Sequence, residues 1–201
     1  MRKGLICSAA SLILATVAVP AFAQSAGTWT MGVGVHQVDP KSDSGVDGLD
    51  VDSNVRPTIT GEYFVADNLG IEVLAALPFE HDIDVGGAKV GSTKQLPPTV
   101  SLQYHFNSAG TVSPFIGAGL NYTTFFSEDT EGALQGAKLK LDDSWGLAAH
   151  AGLDFAVGEK AAIRVDVRWI DIDSDASVNG AKLGTVEIDP LVYGASYVFK
   201  F

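Results

Sequence analysis

The amino-acid sequence predicts an all-β fold in which eight antiparallel strands follow one another as an up-and-down meander and close into a barrel. Eight segments alternate apolar residues with small or polar ones, which is typical of strands with two different faces. The connections between these segments are alternately long and short. The last segment, from Leu191 to Phe201, has a continuous apolar face, and a terminal strand frays unless another strand pairs with it. Closure supplies that partner, because the last strand then pairs with the first.

The first 23 residues have the features of a secretory signal peptide, so we expect a single barrel domain over residues 24–201. Arg2 and Lys3 form a basic start, Leu5 to Val19 is an apolar run, and residues 21–23 read as an A-x-A cleavage site. The apolar run is shorter than the ~20 residues that a membrane-spanning helix needs. Cys7 is the only cysteine of the sequence, so the predicted barrel domain has no disulfides.

The charge balance excludes some classes of partner. Without Arg2 and Lys3, 11 basic residues remain against 24 acidic ones, which gives a net charge of −13. Such an acidic chain is a poor ligand for nucleic acid or for an anionic lipid surface.

The eight strands are predicted from the alternation of apolar and small or polar residues along the chain. Their predicted ranges, in chain order, are Thr28–Val38, Arg56–Val65, Gly70–Leu77, Leu96–Phe106, Val112–Thr123, Trp145–Phe155, Ala161–Trp169 and Leu191–Phe201. Each has an apolar face, which in the same order includes Trp29 and Val33, Ile59 and Tyr63, Ile71 and Val73, Val100 and Leu102, Ile116 and Leu120, Leu147 and Leu153, Val165 and Val167, and Tyr193 and Tyr197.

The connections fall into two groups, which we expect at opposite ends of the barrel. Short turns are predicted around residues 66–69, 107–111 and 158–160, where Asn, Asp and Gly are frequent. Long loops are predicted at residues 39–54, 78–95, 127–140 and 171–184. Short turns at one end and long loops at the other are typical of bacterial outer-membrane barrels, with the short turns in the periplasm.

Three features indicate that the apolar face points outward into lipid, although a lipocalin-like barrel would bury the same residues in its core. The polar face is rich in glycine, which suits a narrow interior. Aromatic residues of the apolar face gather near both strand ends, as in the aromatic girdles of membrane barrels. The charges on the polar face are nearly balanced, as groups in a low-dielectric lumen require. We therefore predict an eight-stranded antiparallel transmembrane β-barrel of the bacterial outer membrane.

The inward-facing residues predict two zones inside the barrel. The mouth at the loop end is apolar, and the residues expected there are Leu74, Pro78, Pro97, Phe125, Ile170, Ile172 and Val192. Further down we expect a polar plug of Glu62, Glu72, Gln103, His105, His150, Asp154, Arg164, Asp166, Arg168 and Lys200. A barrel of eight strands is only wide enough to be filled by side chains or to hold one small ligand, so an open aqueous pore is not expected.

Catalysis and metal binding are the alternatives that these polar residues raise. His105 and His150 next to acidic residues invite comparison with a lipid hydrolase, but such an enzyme needs its nucleophile on the outer face or at the rim, where titratable groups are scarce. We therefore expect no enzyme and no cofactor. Aspartates of the first loop offer the oxygen ligands that calcium prefers, but their spacing matches no EF-hand, and a solvated acidic loop is the default. These aspartates are Asp39, Asp43, Asp47, Asp50 and Asp52.

Several short segments resemble the outer membrane protein W (OmpW) family, which includes AlkL-type transporters. They occur in the same order along the chain and read DNLGIE at 67–72, PFEHDI at 78–83, KQLPPT at 94–99, GAGLNYTTFF at 117–126, DSWG at 143–146 and DID at 171–173. The resemblance implies a porin-like protein of the Gram-negative outer membrane that takes up small hydrophobic molecules passively. Its implied surroundings are the lipid bilayer and lipopolysaccharide. It also implies that Phe201 is the signal by which the barrel-assembly machinery recognises the chain for insertion.

The prolines suggest a path for such molecules. Pro57, Pro78, Pro97 and Pro98 lie at the loop ends of three neighbouring strands, and proline cannot donate to a strand ladder. We hypothesise that an apolar molecule enters the mouth, meets the plug and leaves sideways through this wall into the membrane. The alternative is a structural or adhesive barrel with a sealed lumen and loops that bind other surfaces.

Overall fold

The computed structural model describes residues 24–41 and 49–201, and the predicted signal peptide lies outside these ranges. The regular elements of the described chain are strands, apart from one 3₁₀ turn at Gly132–Leu134. Its strands are β1 (Trp29–Asp39), β2 (Leu49–Val51), β3 (Asn54–Ala66), β4 (Leu69–Ala76), β5 (Phe79–Val85), β6 (Ala88–Leu96), β7 (Thr99–His105), β8 (Val112–Thr130), β9 (Leu139–Leu141), β10 (Ser144–Gly158), β11 (Ala161–Ile170), β12 (Asp173–Val178), β13 (Ala181–Glu187) and β14 (Leu191–Lys200).

Eight of these strands form the closed antiparallel barrel. Their order around it is β1, β3, β4, β7, β8, β10, β11 and β14, and β14 returns to β1. That last pairing runs from Thr30 opposite Lys200 to Asp39 opposite Leu191. The fold prediction is therefore confirmed, including the pairing of the last strand with the first.

The long connections are not loops throughout, which corrects the sequence prediction. Residues 78–95 contain the β5–β6 hairpin, and residues 171–184 contain β12 and the start of β13. In the third predicted loop, β8 continues to Thr130 and β9 follows the 3₁₀ turn. In the first, β2 pairs with β5, while residues 42–48, with Asp43 and Asp47, lie outside the described ranges. Together these strands form an extracellular extension above the barrel.

The hairpins were missed because their outer faces meet water rather than lipid. The outward positions of β5 and β6 include Glu80, Lys89 and Lys94, and these charges hide the alternation that marked the membrane strands. A turn signal was nevertheless present. Asn179 and Gly180 both have positive φ, at 51° and 81°, and Asn-Gly between two strands is a strong hairpin signal.

One predicted strand is interrupted at its prolines, and another ends next to a proline. The predicted strand Gly70–Leu77 corresponds to β4, which ends at Ala76, and β5 begins at Phe79 after Pro78. The predicted strand Leu96–Phe106 is divided by Pro97 and Pro98, so that β6 ends before them and β7 begins after them. We call this interruption, residues 75–78 and 96–98, the wall break.

The two faces of the barrel have the orientation expected of a membrane protein. Leu120 and Leu147 are 57% and 60% exposed on the outside, whereas Glu62 and Arg164 are each 1% exposed on the inside. Within residues 24–41 and 49–201, no helix is long and apolar enough to cross a bilayer. Apolar side chains on the outer face and charged side chains in the lumen are the arrangement that a lipid environment requires.

Candidate functional site

Arg164 is the centre of the predicted polar plug. From β11 it makes a bidentate contact with Asp154 of β10, with Nε to Oδ1 at 2.7 Å and Nη2 to Oδ2 at 2.9 Å. Its Nη1 donates to Glu72 Oε2 at 2.8 Å, and Nη2 lies 3.5 Å from Glu62 Oε2. All four side chains are buried, so each charge depends on the others for its stabilisation.

Arg168 extends the plug toward the first strand. It donates from Nη1 to Glu72 Oε1 at 2.8 Å and from Nε to Asp166 Oδ2 at 2.7 Å. His36 of β1 lies with its Nε2 3.4 Å from Asp166 Oδ2, and its Nδ1 is 2.7 Å from Thr58 Oγ1. The plug therefore joins opposite walls of the barrel through ionic contacts.

A second group of polar side chains completes the plug. Gln103 Nε2 donates to Glu62 Oε2 at 3.1 Å, and His105 Nε2 lies 3.0 Å from Glu62 Oε1. His150 Nε2 lies 2.8 Å from Gln103 Oε1. The ring of Phe115 covers the Arg164 guanidinium at 4.5 Å from its centroid. These buried groups fill the lumen at this level and block a straight aqueous path.

Two glycines make room for the plug. A Cβ added at Gly117 would lie 2.1 Å from His150 Nε2, and one at Gly194 would lie 2.2 Å from His36 Nε2. Any larger residue there would displace a histidine. The small residues noted on the polar face in the sequence therefore serve the close packing of the lumen.

Several plug residues were not predicted from the sequence. Lys200 was predicted for the plug but lies less centrally than expected. His36 lies on the inward face of β1 and Phe115 on that of β8, so their parity in the sequence could have identified both. Gln24 precedes β1, and its Nε2 donates to Asp154 Oδ2 at 3.1 Å; no periodic signal marks it. Lys200 is half-buried near the end of β14.

The predicted apolar mouth is larger than the sequence indicated. Phe125, Ile170, Ile172 and Val192 lie in one buried apolar cluster at the extracellular end. Leu74 is buried outside that cluster. The cluster also contains residues that were not predicted for the mouth, several of them from the extracellular extension: Val38, Phe79, Leu141, Ala148, Ala176, Val186 and Ile188.

An apolar cavity of about 110 Å³ lies within the extracellular extension, against this cluster. Phe125, Leu141, Ala176 and Val186 belong to both the cavity lining and the cluster. Apolar side chains supply most of the remaining lining, and no Asp, Glu, Lys or Arg of the described residues takes part. We call this space the mouth cavity. Such a space suits an uncharged, apolar guest.

Three polar residues, His81, Thr93 and Gln95, border the mouth cavity, although nearly all of the cavity surface is apolar. His81 Nδ1 donates to the backbone oxygen of Asp52 at 2.6 Å, so the neutral ring presents Nε2 as an acceptor. Gln95 Nε2 donates to it at 3.0 Å. Burial holds the pKa of His81 below its usual 6.5, although the hydrogen bond to Asp52 opposes this shift.

We expect the β5–β6 hairpin to loosen as the pH falls from about 7.5 to about 5. The folded pKa of His81 is lowered, so its contribution is fully present above the ordinary value of 6.5 and is lost as the pH falls through the folded pKa. Hydrogen exchange of residues 79–96, corrected for intrinsic rates, should become faster, while β11 stays protected. In His81→Gln this response should disappear. Equal responses in both proteins would contradict the assignment to His81.

The wall break separates two intact stretches of ladder. The last β4–β7 pair joins Leu74 to Thr99, and the β5–β6 ladder ends with Phe79 opposite Gln95. A side chain of β8 satisfies the carbonyl groups of the two prolines. Asn121 Nδ2 donates to Pro97 O at 3.1 Å and to Pro98 O at 3.2 Å. The buried Asn121 side chain therefore holds the break in a defined conformation without closing it by a ladder.

The wall break has apolar surroundings on both of its sides. On its inner side, Ala76 packs against the apolar cluster of the mouth. On the barrel surface beside it, a groove of about 240 Å³ is lined by Pro57, Ile59, Ala75 and Leu77. Of the predicted residues, Pro97 is buried at the break and Pro78 is half-buried.

Among the described residues, a cluster of three aspartates lies near the extracellular end and includes none of the first-loop aspartates. Carboxylate oxygens of Asp171, Asp173 and Asp189 lie within 4.8 Å of one another. Burial, with the neighbouring carboxylates, raises the pKa of Asp173. Lys41 Nζ lies 3.3 Å from Asp189 Oδ2 and supplies a positive charge there.

Comparison with known proteins agrees with this architecture. The model of the OmpW family matches residues 25–201. The outer membrane protein W of Vibrio cholerae serotype O1 is 38% identical, and the alignment covers 99% of this chain and 100% of that protein. The crystal structure of the outer membrane protein OprG from Pseudomonas aeruginosa is 36% identical with a TM-score of 0.80, covering 90% of this chain and 99% of OprG.

A further relative is the outer membrane protein AlkL of Ectopseudomonas oleovorans. It is 31% identical, and the alignment covers 68% of this chain and 63% of AlkL. The Vibrio protein, OprG and AlkL are all named as outer membrane proteins rather than as enzymes.

Proposed function

The chain belongs to the OmpW family of integral outer-membrane β-barrels, and from this premise we propose that it admits small hydrophobic molecules passively. The observation that carries the proposal is the apolar mouth cavity above a lumen filled by the ionic plug. An apolar guest gains free energy by leaving water for such a cavity, at roughly 25 cal/mol per Å² buried. No energy source is needed for this step.

The guest then leaves sideways through the wall break into the membrane. A straight descent would bring it against Arg164 and its carboxylates, and an apolar molecule cannot replace their mutual contacts. The wall break lies beside the same apolar cluster and has a groove on its lipid side. This route supports delivery into the bilayer rather than into the periplasm.

Phe201 has a separate proposed role as the insertion signal for the barrel-assembly machinery. Its side chain is 67% exposed, so it is accessible to a partner. Its backbone N donates to Trp29 O at 3.0 Å, which ties the residue to the first strand in the finished barrel.

The filled lumen also suits the second candidate function, a sealed structural or adhesive barrel. In that case the mouth cavity would be a packing defect of the extracellular extension, and its occupation would affect nothing. The two functions therefore differ in whether the protein raises uptake above that of cells without it, and in whether filling the cavity removes that increase.

We expect Ala176→Phe to reduce the uptake of an apolar compound by about tenfold, because a ring occupies much of a cavity of this size. Ala176 is 5% exposed and lines the mouth cavity. Ala181→Phe is the matched control, since Ala181 is exposed on β13 and does not line the cavity.

Uptake would be measured in cells with equal amounts of each folded variant, using cells without the protein as the baseline. Folding would be checked by the shift in electrophoretic mobility on heating. Uptake by the unmodified protein at the baseline rate would favour the sealed barrel, and uptake by Ala176→Phe at the rate of the unmodified protein would exclude entry through the mouth cavity.

A further inference from the structure

Gln24 lies at the floor of the polar plug, at the end of the barrel where the short turns are. Its side chain is 1% exposed. Gln24 Nε2 donates to Asp154 Oδ2 at 3.1 Å, and Gln24 Oε1 accepts from Ser113 Oγ at 3.3 Å. Both ends of the amide therefore have partners, and Gln24 joins β10 to β8 inside the lumen.

The backbone at and after Gln24 is held by the short turn between β3 and β4. Asn68 N donates to Gln24 O at 3.0 Å, and Gly27 N donates to Phe64 O at 2.8 Å. These contacts fix the point at which the chain enters the lumen before β1 begins.

The predicted cleavage site of the signal peptide lies directly before Gln24. Hydrolysis of the bond between Ala23 and Gln24 by a signal peptidase consumes one water, leaves a carboxylate on Ala23 and creates an α-ammonium group on Gln24. An α-amino group is mostly protonated at neutral pH. Because the side chain of the same residue contacts Asp154, the new charge lies only one side-chain length from that carboxylate.

The plug has more buried carboxylates than buried guanidinium groups. Among the described residues that form it, four carboxylates face two guanidinium groups, namely Glu62, Glu72, Asp154 and Asp166 against Arg164 and Arg168. A carboxylate without a counter-charge is costly in the lumen. A further positive charge at the floor therefore stabilises the plug.

We propose that the N-terminus created by cleavage after Ala23 is the final component of the plug. The amide of Gln24 bridges Asp154 and Ser113, and the α-ammonium of Gln24 offsets part of the excess negative charge. This inference does not depend on the proposed uptake function.

The same contacts protect Gln24 from the cyclisation to which an N-terminal glutamine is prone. In that reaction the α-amine attacks Cδ, a lactam N–C bond forms, the Cδ–Nε2 bond breaks and ammonia leaves. An amide that is hydrogen-bonded to Asp154 and Ser113 cannot fold back onto its own amine. The rate of cyclisation therefore reports whether the N-terminal residue occupies the plug.

The test starts with the protein isolated from outer membranes. Mass spectrometry of its N-terminal peptide should find Gln24 as the first residue, with its amide intact. The protein is then incubated, at one pH and temperature, either folded in lipid vesicles or unfolded in guanidinium chloride, and the loss of ammonia is followed. We expect cyclisation to be at least about tenfold slower in the folded barrel, because two hydrogen bonds must break first.

Two serine variants test the bridge. Ser113→Ala removes the donor to Gln24 Oε1, so the folded protein should cyclise about threefold faster. Ser101→Ala is the matched control, since Ser101 is also buried in the lumen and its hydroxyl has no hydrogen-bond partner among the described residues. It should cyclise at the rate of the unmodified protein, and both variants should match that protein when unfolded.

The α-ammonium is tested separately from the amide. Gln24→Met loses the amide but keeps the ammonium, whereas a chain that was cyclised while unfolded has lost the ammonium. Both chains are refolded into vesicles and unfolded by guanidinium chloride. The equilibrium constant of unfolding should be about fivefold larger for the cyclised chain than for Gln24→Met, because a charge near buried carboxylates is missing.

Each result bears on one part of the inference. A first residue other than Gln24, or equal rates of cyclisation in the folded and unfolded protein, would overturn it. An unchanged rate in Ser113→Ala would overturn the bridge, and equal stability of the cyclised chain and Gln24→Met would overturn the role of the ammonium. The two rates in the unmodified protein decide the matter even if Gln24→Met does not fold.

Discussion

Arg164→Met is expected to lower the free energy of unfolding of the barrel by about 3–5 kcal/mol, the cost of breaking a buried ion pair by removing one partner. The guanidinium contacts Glu62, Glu72 and Asp154, all buried. Without it, these three carboxylates face one another in the lumen. Arg168 compensates for only one of them, because its ion pairs are with Glu72 and Asp166.

Unfolding by urea in lipid vesicles would measure this loss. Trp29 and Trp145 lie on the outer face, so their fluorescence reports the transfer from lipid to water. Lys182→Met is the control, because the Lys182–Asp175 pair is exposed and such pairs contribute about 0–1 kcal/mol. Adding Asp154→Asn to Arg164→Met should recover part of the stability. A loss no larger than that of the control would show that the plug is not held by Arg164.

Joining the two edges of the wall break is expected to reduce hydrophobic uptake by about tenfold or more, provided that a covalent bridge forms across it. Continuing the register of Leu74 opposite Thr99 makes Leu77 the partner of Leu96. Cysteines at both positions can be joined by oxidation or by a short bis-thiol reagent. The only native cysteine, Cys7, lies in the predicted signal peptide, so the introduced thiols have no competitor in the barrel domain.

The matched control places the bridge in the intact ladder just below. Val73 and Val100 are direct partners on the outer face of β4 and β7, and their cysteine pair should leave uptake unchanged when bridged. Reduction should restore uptake in the Leu77–Leu96 variant if oxidation made the bridge. Full uptake with a complete bridge would exclude exit through the wall break and leave the entry cavity unaffected.

The barrel and the chemical character of its lumen could be predicted from the sequence, because the alternation of residues along a strand assigns each of them to one of two faces. Glu72 and Arg164 were placed inside on that basis. Their contact was not predictable, since they are 92 residues apart and meet only through the stagger of strands around a closed barrel. The position of a residue in the alternation of its strand determines which face it occupies, whereas the stagger of the strands determines its height along the barrel axis.

The mouth cavity was the part least accessible from the sequence. It depends on Phe125 of β8 and Leu141 of β9, and these strands pair with β6 and β12 of the two extracellular hairpins. The outward positions of the β5–β6 hairpin carry charges that obscure the alternation of its residues. Lys89 and Lys94 therefore resembled a solvated loop. The turn residues Gly86 and Gly87, with φ of 60° and 79°, were the available clue.

The pairing of β1 with β14 also determines the order of events during biogenesis. The edge of β1 that pairs with β14 has no partner strand until the C-terminal strand is present. An incomplete chain that lacks β14 therefore cannot close the barrel in this way. Contacts so distant along the chain make folding slow. Until its two ends meet, the polypeptide therefore exposes an unpaired strand edge, which is open to pairing with another chain.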